Sequence, residues 1–190
     1  MRQHNLRILF FLLVLWGVAV ACSRREARFR IGVSQCSEDE WRRQMNSEIL
    51  REAHFYEDVE VDIRTAVDDN DRQAKDIREL IAEGVDLLIV APNEATPITP
   101  VVEEAYNRGI PVIVVDRKIL SDKYTAYVGD DNYEIGNAVG EYVANVLHGQ
   151  GDVVEISGLV GSTPAGDRQQ GFVQARSAYP GIRLLAVEAG

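Results

Sequence analysis

Cysteine, histidine and basic charge are all scarce in this chain, and each scarcity removes a class of chemistry. Only Cys22 and Cys36 are present, with no Cys-x-x-Cys pair, and the three histidines (His4, His54, His148) are scattered. Nothing has the ligand spacing of a zinc site, so no metal and no cofactor is expected. Lys and Arg number 20 against 30 Asp and Glu, a formal net charge of −10. That balance leaves no basic footprint for phosphates and excludes nucleic acid as a partner. Gly158 and Gly161 are not followed by Gly-Lys-[Ser/Thr], and the first strand lacks Gly-x-Gly-x-x-Gly, so a nucleotide loop is not supported. What remains, 46% hydrophobic and 26% charged residues, is the composition of a globular protein.

Long apolar runs are also missing. Arg2 and Arg7 precede an uncharged stretch from Ile8 to Ala21, which falls short of the roughly 18–20 residues that comfortably span a bilayer. A basic start, a short apolar stretch and small residues before Cys22 predict an export signal over residues 1–22. Val20-Ala21-Cys22 resembles a bacterial lipoprotein signal, which implies a lipid on Cys22; an uncleaved membrane anchor and an ordinary cut are the alternatives. All three place the remainder outside the cytoplasm, tethered in the first two cases. Lipidation leaves Cys36 alone, whereas a Cys22–Cys36 bridge would staple a tether to a strand end. Residues 23–27 read as a polar linker.

From residue 29 onward, strand-like runs alternate with helix-like segments. The runs cover residues 29–34, 59–67, 86–91, 110–115, 124–129, 153–157 and 182–187. Trp41, Met45, Ile49 and Ala53 recur every four residues and predict the inward stripe of the first helix. Ala74, Ile77, Leu80 and Ile81 mark the second, closed by Gly84 in the left-handed cap position. Pro97 opens a third that Gly109 closes. Ile135, Ala138, Val139, Tyr142, Val143 and Val146 give a fourth, and residues 163–179 a fifth, with Thr163 as its cap.

Strand-then-helix order predicts an α/β fold with a parallel sheet flanked by helices, whose ligands sit at the carboxyl ends of the strands. At that edge stands Asp116-Arg117-Lys118, an acceptor beside a planar fork of donors. Such a pair suits hydroxyl groups; its bland counterpart is a surface ion pair. Asn93, in the loop after the third strand, both donates and accepts, or simply shapes the turn. From residue 132 onward there are two helices and two strands, thin for an independent core. One lobe (28–130) plus an incomplete second lobe (131–190) is therefore expected, part of something longer that binds its ligand weakly by itself.

Three stretches carry a resemblance: Pro111 to Lys118 (PVIVVDRK), Gly129 to Gly136 (GDDNYEIG) and Gly158 to Phe172 (GLVGSTPAGDRQQGF). In order and spacing they resemble the periplasmic sugar-binding proteins of the ribose-binding type, and most closely the sensor regions of hybrid two-component systems that detect simple sugars such as fructose. The resemblance implies two similar lobes closing by a hinge on a monosaccharide, a pentose or hexose such as ribose or fructose. It implies a transporter permease or a membrane histidine kinase as partner. By the same resemblance Asp116 and Arg117 match ligand contacts of the first lobe, and Arg168 the sugar-gripping arginine of the second, facing Arg117 across a cleft; an exposed helical arginine is the alternative for Arg168. Trp41 lies where the family places aromatics that stack on the sugar, and its competing role is core. No catalytic residue is expected. The other readings are an extracytoplasmic α/β enzyme, with Cys36 and Ser157 at strand ends, and a fragment that binds nothing.

Overall fold

The computed structural model describes residues 29–189. The expected export signal, the expected lipidation at Cys22 and the expected linker fall outside the described residues. Strands β1 (Phe29–Gln35), β2 (Val59–Thr65), β3 (Leu87–Val90), β4 (Val112–Val115) and β5 (Ala126–Val128) form one sheet in the order β2-β1-β3-β4-β5. Every pairing in it is parallel, with Ile31 opposite Val61 on one side and Leu87 on the other. Helices α1 (Glu40–Ala53), α2 (Asn70–Ala82) and α3 (Ala95–Asn107) make the crossovers. After β5 come α4 (Asn132–Val146), β6 (Gln150–Ser157), α5 (Thr163–Arg176) and β7 (Gly181–Ala189), with β6 and β7 paired in parallel as a second sheet. The α/β class with helices over a parallel sheet is the one the alternation predicts.

The core lies between the large sheet and α2 and α3. Leu88, Val90, Val112 and Val114 on the strands meet Ile77 and Leu80 of α2 and Ile98, Val101, Val102 and Ala105 of α3, all at most 1% exposed. Burying each larger side chain of this kind contributes roughly 1.5–3 kcal/mol, so this half supplies a rigid platform for its strand ends. Asp39, Asp69 and Asp131 cap α1, α2 and α4 by accepting from the backbone N–H three residues on, as the acidic turns suggest. Gly84 and Gly109 both take the left-handed conformation at helix ends.

Three local expectations need correction. Strand β2 stops at Thr65 rather than 67, because Val67 and Asp68 turn into the left-handed region (φ 55° and 62°). Helix α3 starts at Ala95, which leaves Pro97 in the first turn, where a missing N–H costs nothing. The third concerns α1. Its inward stripe does not include Trp41, which is 56% exposed; Arg42 is the buried residue of that turn at 3%. A four-residue spacing drifts relative to a 3.6-residue turn, and the Asp39 cap fixes the phase so that Arg42, Met45, Ile49 and Ala53 turn inward.

Helices α4 and α5 pack backbone to backbone. A Cβ on Gly136 would overlap the Arg168 carbonyl, and one on Gly171 would overlap the Tyr133 carbonyl. This close approach fixes where α5 presents Arg168. The far face of β6 and β7 carries Val154, Ile156, Leu185 and Val187 exposed.

Candidate functional site

The carboxyl end of β4 delivers Asp116 in the left-handed region (φ 64°), unusual for a residue with a side chain. Its conformation is held from both sides: the Asp116 N–H donates to the Val128 carbonyl at 2.8 Å, and the Tyr127 hydroxyl donates to the Asp116 carbonyl at 2.8 Å. Burial, and then the nearby Asp116 carboxylate, push the Tyr127 hydroxyl above its ordinary pKa, which keeps it a donor. The Asp116 carboxylate accepts from Nη2 of Arg42, the inward residue of α1, so two strand–helix junctions are tied together. The Arg42 guanidinium also lies 4.5 Å from the centroid of the Trp41 ring. Its Nη1 is buried with no hydrogen-bond partner among the described residues.

Arg117 is anchored separately. Its Nη1 donates to the Asn93 carbonyl at 2.7 Å. Asn93 is itself 2% exposed; its N–H donates to Gln73 Oε1 at 2.9 Å and its amide to Asn70 Oδ1 at 3.0 Å. Gln73 in turn donates to the Ala91 carbonyl at 2.9 Å and to Ser34 Oγ at 3.2 Å. The network pins the loop after β3, and through the Asn93 carbonyl it holds Arg117.

Opposite this edge lies the second sheet. A hollow of about 320 Å³ separates them, with Asp116 and Arg117 on one wall and Glu155, Ser157, Ser162 and Arg168 on the other. The structure therefore brings Asp116, Arg117 and Arg168 into one cavity. Trp41 and Asn93 do not line it: Trp41 backs Arg42, and Asn93 holds Arg117 from behind. Two lining or supporting groups escaped sequence reasoning, Arg42 and Glu155. A 3.6-residue phase counted from Asp39 is the signal that would have found Arg42.

Contacts across the cavity join the two halves. Thr163 does not cap α5, since Ser162 occupies the cap position; the Thr163 hydroxyl accepts from the Lys118 N–H at 2.7 Å. Lys118 Nζ stands 3.6 Å from Asp167, and the Ala95 N–H donates to the Gly161 carbonyl at 3.3 Å. Gly161 makes the sharp turn before α5 with φ 87°. Cys36, at 0% exposure, lies 3.8 Å from Ser37 Oγ. Among the described residues no cluster of His, Cys, Asp and Glu is arranged to hold a metal.

The sequence profile of the family described as periplasmic binding protein domain matches residues 31–190. The galactofuranose-binding protein YtfQ of Escherichia coli (strain K12) is 33% identical over 94% of this chain and 58% of its own length. The ribose import binding protein RbsB of Bacillus subtilis (strain 168) is 32% identical over 60% of this chain and 37% of its own. Among solved structures, the fructose binding periplasmic domain of a hybrid two-component system superposes with a TM-score of 0.82 at 62% identity, covering 85% of this chain and 54% of that one. The periplasmic binding component of an arabinose ABC transporter from Shewanella sp. ANA-3, bound to L-arabinofuranose, gives a TM-score of 0.75 at 33% identity, covering 85% and 54%. The chain thus spans little more than half the length of these relatives, and less of the ribose-binding one.

Proposed function

This chain belongs to the periplasmic binding protein domain family, and from that membership we propose that it binds a neutral monosaccharide, a pentose or a hexose, between the Asp116–Arg117 edge and Arg168. The observation that carries the reading is the shared hollow itself, where strand ends of one sheet face a helix start of the other. A sugar offers hydroxyls that both donate and accept. Arg117 and Arg168 supply donors from opposite sides, Asp116 supplies an acceptor, and hydrogen bonds to charged groups are worth roughly 1.5–3 kcal/mol each. Donors on both walls bind best when the walls approach, so ligand favours the closed arrangement of the halves by a hinge motion.

The ligand range of the relatives, named for galactofuranose, ribose, fructose and arabinose, supports a monosaccharide and puts D-fructose first, given the 62% identity to a fructose-binding domain. That same likeness favours sensing, with a membrane histidine kinase as partner, over delivery to a transporter permease. The reading includes a periplasmic location, tethered through the lipid on Cys22 or through an N-terminal anchor. The relatives compared are named as binding proteins, which argues against the enzyme alternative.

Calorimetric titration of the full chain with D-fructose, D-ribose, L-arabinose and D-galactose tests the proposal. Saturable heat with at least one neutral sugar is expected, and its loss in Arg117→Ala. Silence toward all four contradicts the reading. For the sensing role, kinase autophosphorylation in membranes must change when that sugar is added.

A further inference from the structure

The walls of the hollow differ in what they have left to offer. On the Asp116 side each charge already holds a protein partner and offers only its remaining positions: Asp116 accepts from Arg42, and Arg117 donates to the Asn93 carbonyl with its Nε 4.0 Å from Asp116. On the other wall neither charge is engaged. Arg168 makes no ion pair or side-chain hydrogen bond among the described residues. Glu155, in the middle of β6, has Oε2 fully buried with no hydrogen-bond partner among them.

A carboxylate oxygen in that state is costly, because burying an unpaired polar or charged group forfeits its hydration. Glu155 cannot recover the loss on its other side. There it borders an apolar groove of about 300 Å³, formed with Val139, Val143, Val153 and Phe172, where Arg168 supplies the charge of opposite sign. Alternation along β6 puts Val153, Glu155 and Ser157 on the same face, and both Glu155 and Ser157 reach the polar hollow. A free acceptor and a free donor therefore flank the same space, a pairing complementary to a hydroxyl, which donates its proton and accepts through its oxygen.

We infer that Glu155 is a specificity-determining ligand contact: one sugar hydroxyl donates to its carboxylate while accepting from Arg168. This rests on the monosaccharide reading above and adds a charged acceptor to the second wall beside the serine hydroxyls. Oε2 is closed to water-sized groups in this arrangement, so the Glu155 side chain turns toward the hollow as the hydroxyl arrives, and occupancy then relieves the orphaned oxygen.

Titrating the full chain and Glu155→Gln with D-fructose, D-ribose and their singly deoxygenated forms tests the assignment as a double-mutant cycle. In the wild type, removing one particular hydroxyl is expected to weaken binding about tenfold or more, the scale of a hydrogen bond to a charged group. E155Q is expected to weaken the parent sugar by a similar factor, to bind that deoxy sugar no worse than the parent, and to unfold at the wild-type temperature. If E155Q does not fold, Glu155→Asp, which withdraws the carboxylate by one methylene, must give the same pattern. Unchanged affinity in the variant overturns the assignment. So does an even loss across all the sugars with every deoxy gap intact, which is the signature of a residue that only positions Arg168. A wild type silent toward both parent sugars moves the cycle to whichever of L-arabinose and D-galactose binds, with the same pattern required; silence toward all four contradicts the binding reading itself, and this inference with it.

Discussion

Arg42 and Asp116, separated by 74 positions in sequence, meet where the first helix of the large sheet passes the end of its fourth strand, with Arg42 3% and Asp116 35% exposed. The pair converts a strained strand end into a fixed feature. It also holds the acceptor at the sheet edge in one orientation.

Removing Arg42 leaves the Asp116 carboxylate with only the Arg117 Nε, 4.0 Å away. Arg42→Ala is expected to lower unfolding stability by roughly 1–3 kcal/mol, a range set below that of fully buried pairs because Asp116 is partly solvated. It should also weaken sugar binding. Urea unfolding and calorimetry measure the two losses, and Arg42→Lys should recover only part of either, since a lysine lacks the planar fork.

Trp41 should behave as a support for Arg42. Because it is 56% exposed, Trp41→Ala is expected to cost stability less than about 1 kcal/mol, while affinity falls through loosening of the Arg42 guanidinium. A stability loss of about 3 kcal/mol or more, the scale of a truncated core aromatic, contradicts this placement.

Two glycines of the second half make a contrast. Gly136→Ala forces α4 off the Arg168 carbonyl and is expected to destabilise by about 1–3 kcal/mol or more, shifting Arg168 and reducing affinity. Gly166, in the interior of α5, has open space where a Cβ would stand; Gly166→Ala should be neutral or stabilising by up to about 1 kcal/mol. Thermal unfolding of the two variants checks both signs.

Acid should loosen the start of α1. The Ser37 hydroxyl, donating at 2.5 Å, is the largest influence holding the Asp39 carboxyl below its ordinary value, helped by the Arg42 N–H. A depressed folded-state value means that this stability is fully present above the unfolded value of about 3.9 and is lost as pH falls through the folded one. Ser37→Ala should therefore narrow the stability gap between about pH 6 and about pH 3, measured by urea unfolding.

Much of the fold was legible because it depends on short-range pattern. The apolar runs that became β3 and β4, the acidic caps at Asp39 and Asp69 and the left-handed glycines each follow from local chemistry. The meeting of Asp116, Arg117 and Arg168 in one hollow was legible only through family resemblance, since no spacing in the chain encodes a distance between two sheets. The placements of Arg42 and Glu155 were the hardest to read. Arg42 requires helix phase to within one residue, and Glu155 sits between Val154 and Ile156 in a strand whose packing partners lie on other elements. Thr163 looked like a cap because its position lies one residue from the true cap; its hydroxyl serves Lys118 instead.

The most direct measurement is a crystal structure of the chain grown with D-fructose. The account predicts density for one sugar in the hollow, within hydrogen-bond distance of both Arg117 and Arg168. Sugar bound elsewhere, or a hollow filled only by water at saturating D-fructose while the sugar is shown to bind in solution, would contradict it.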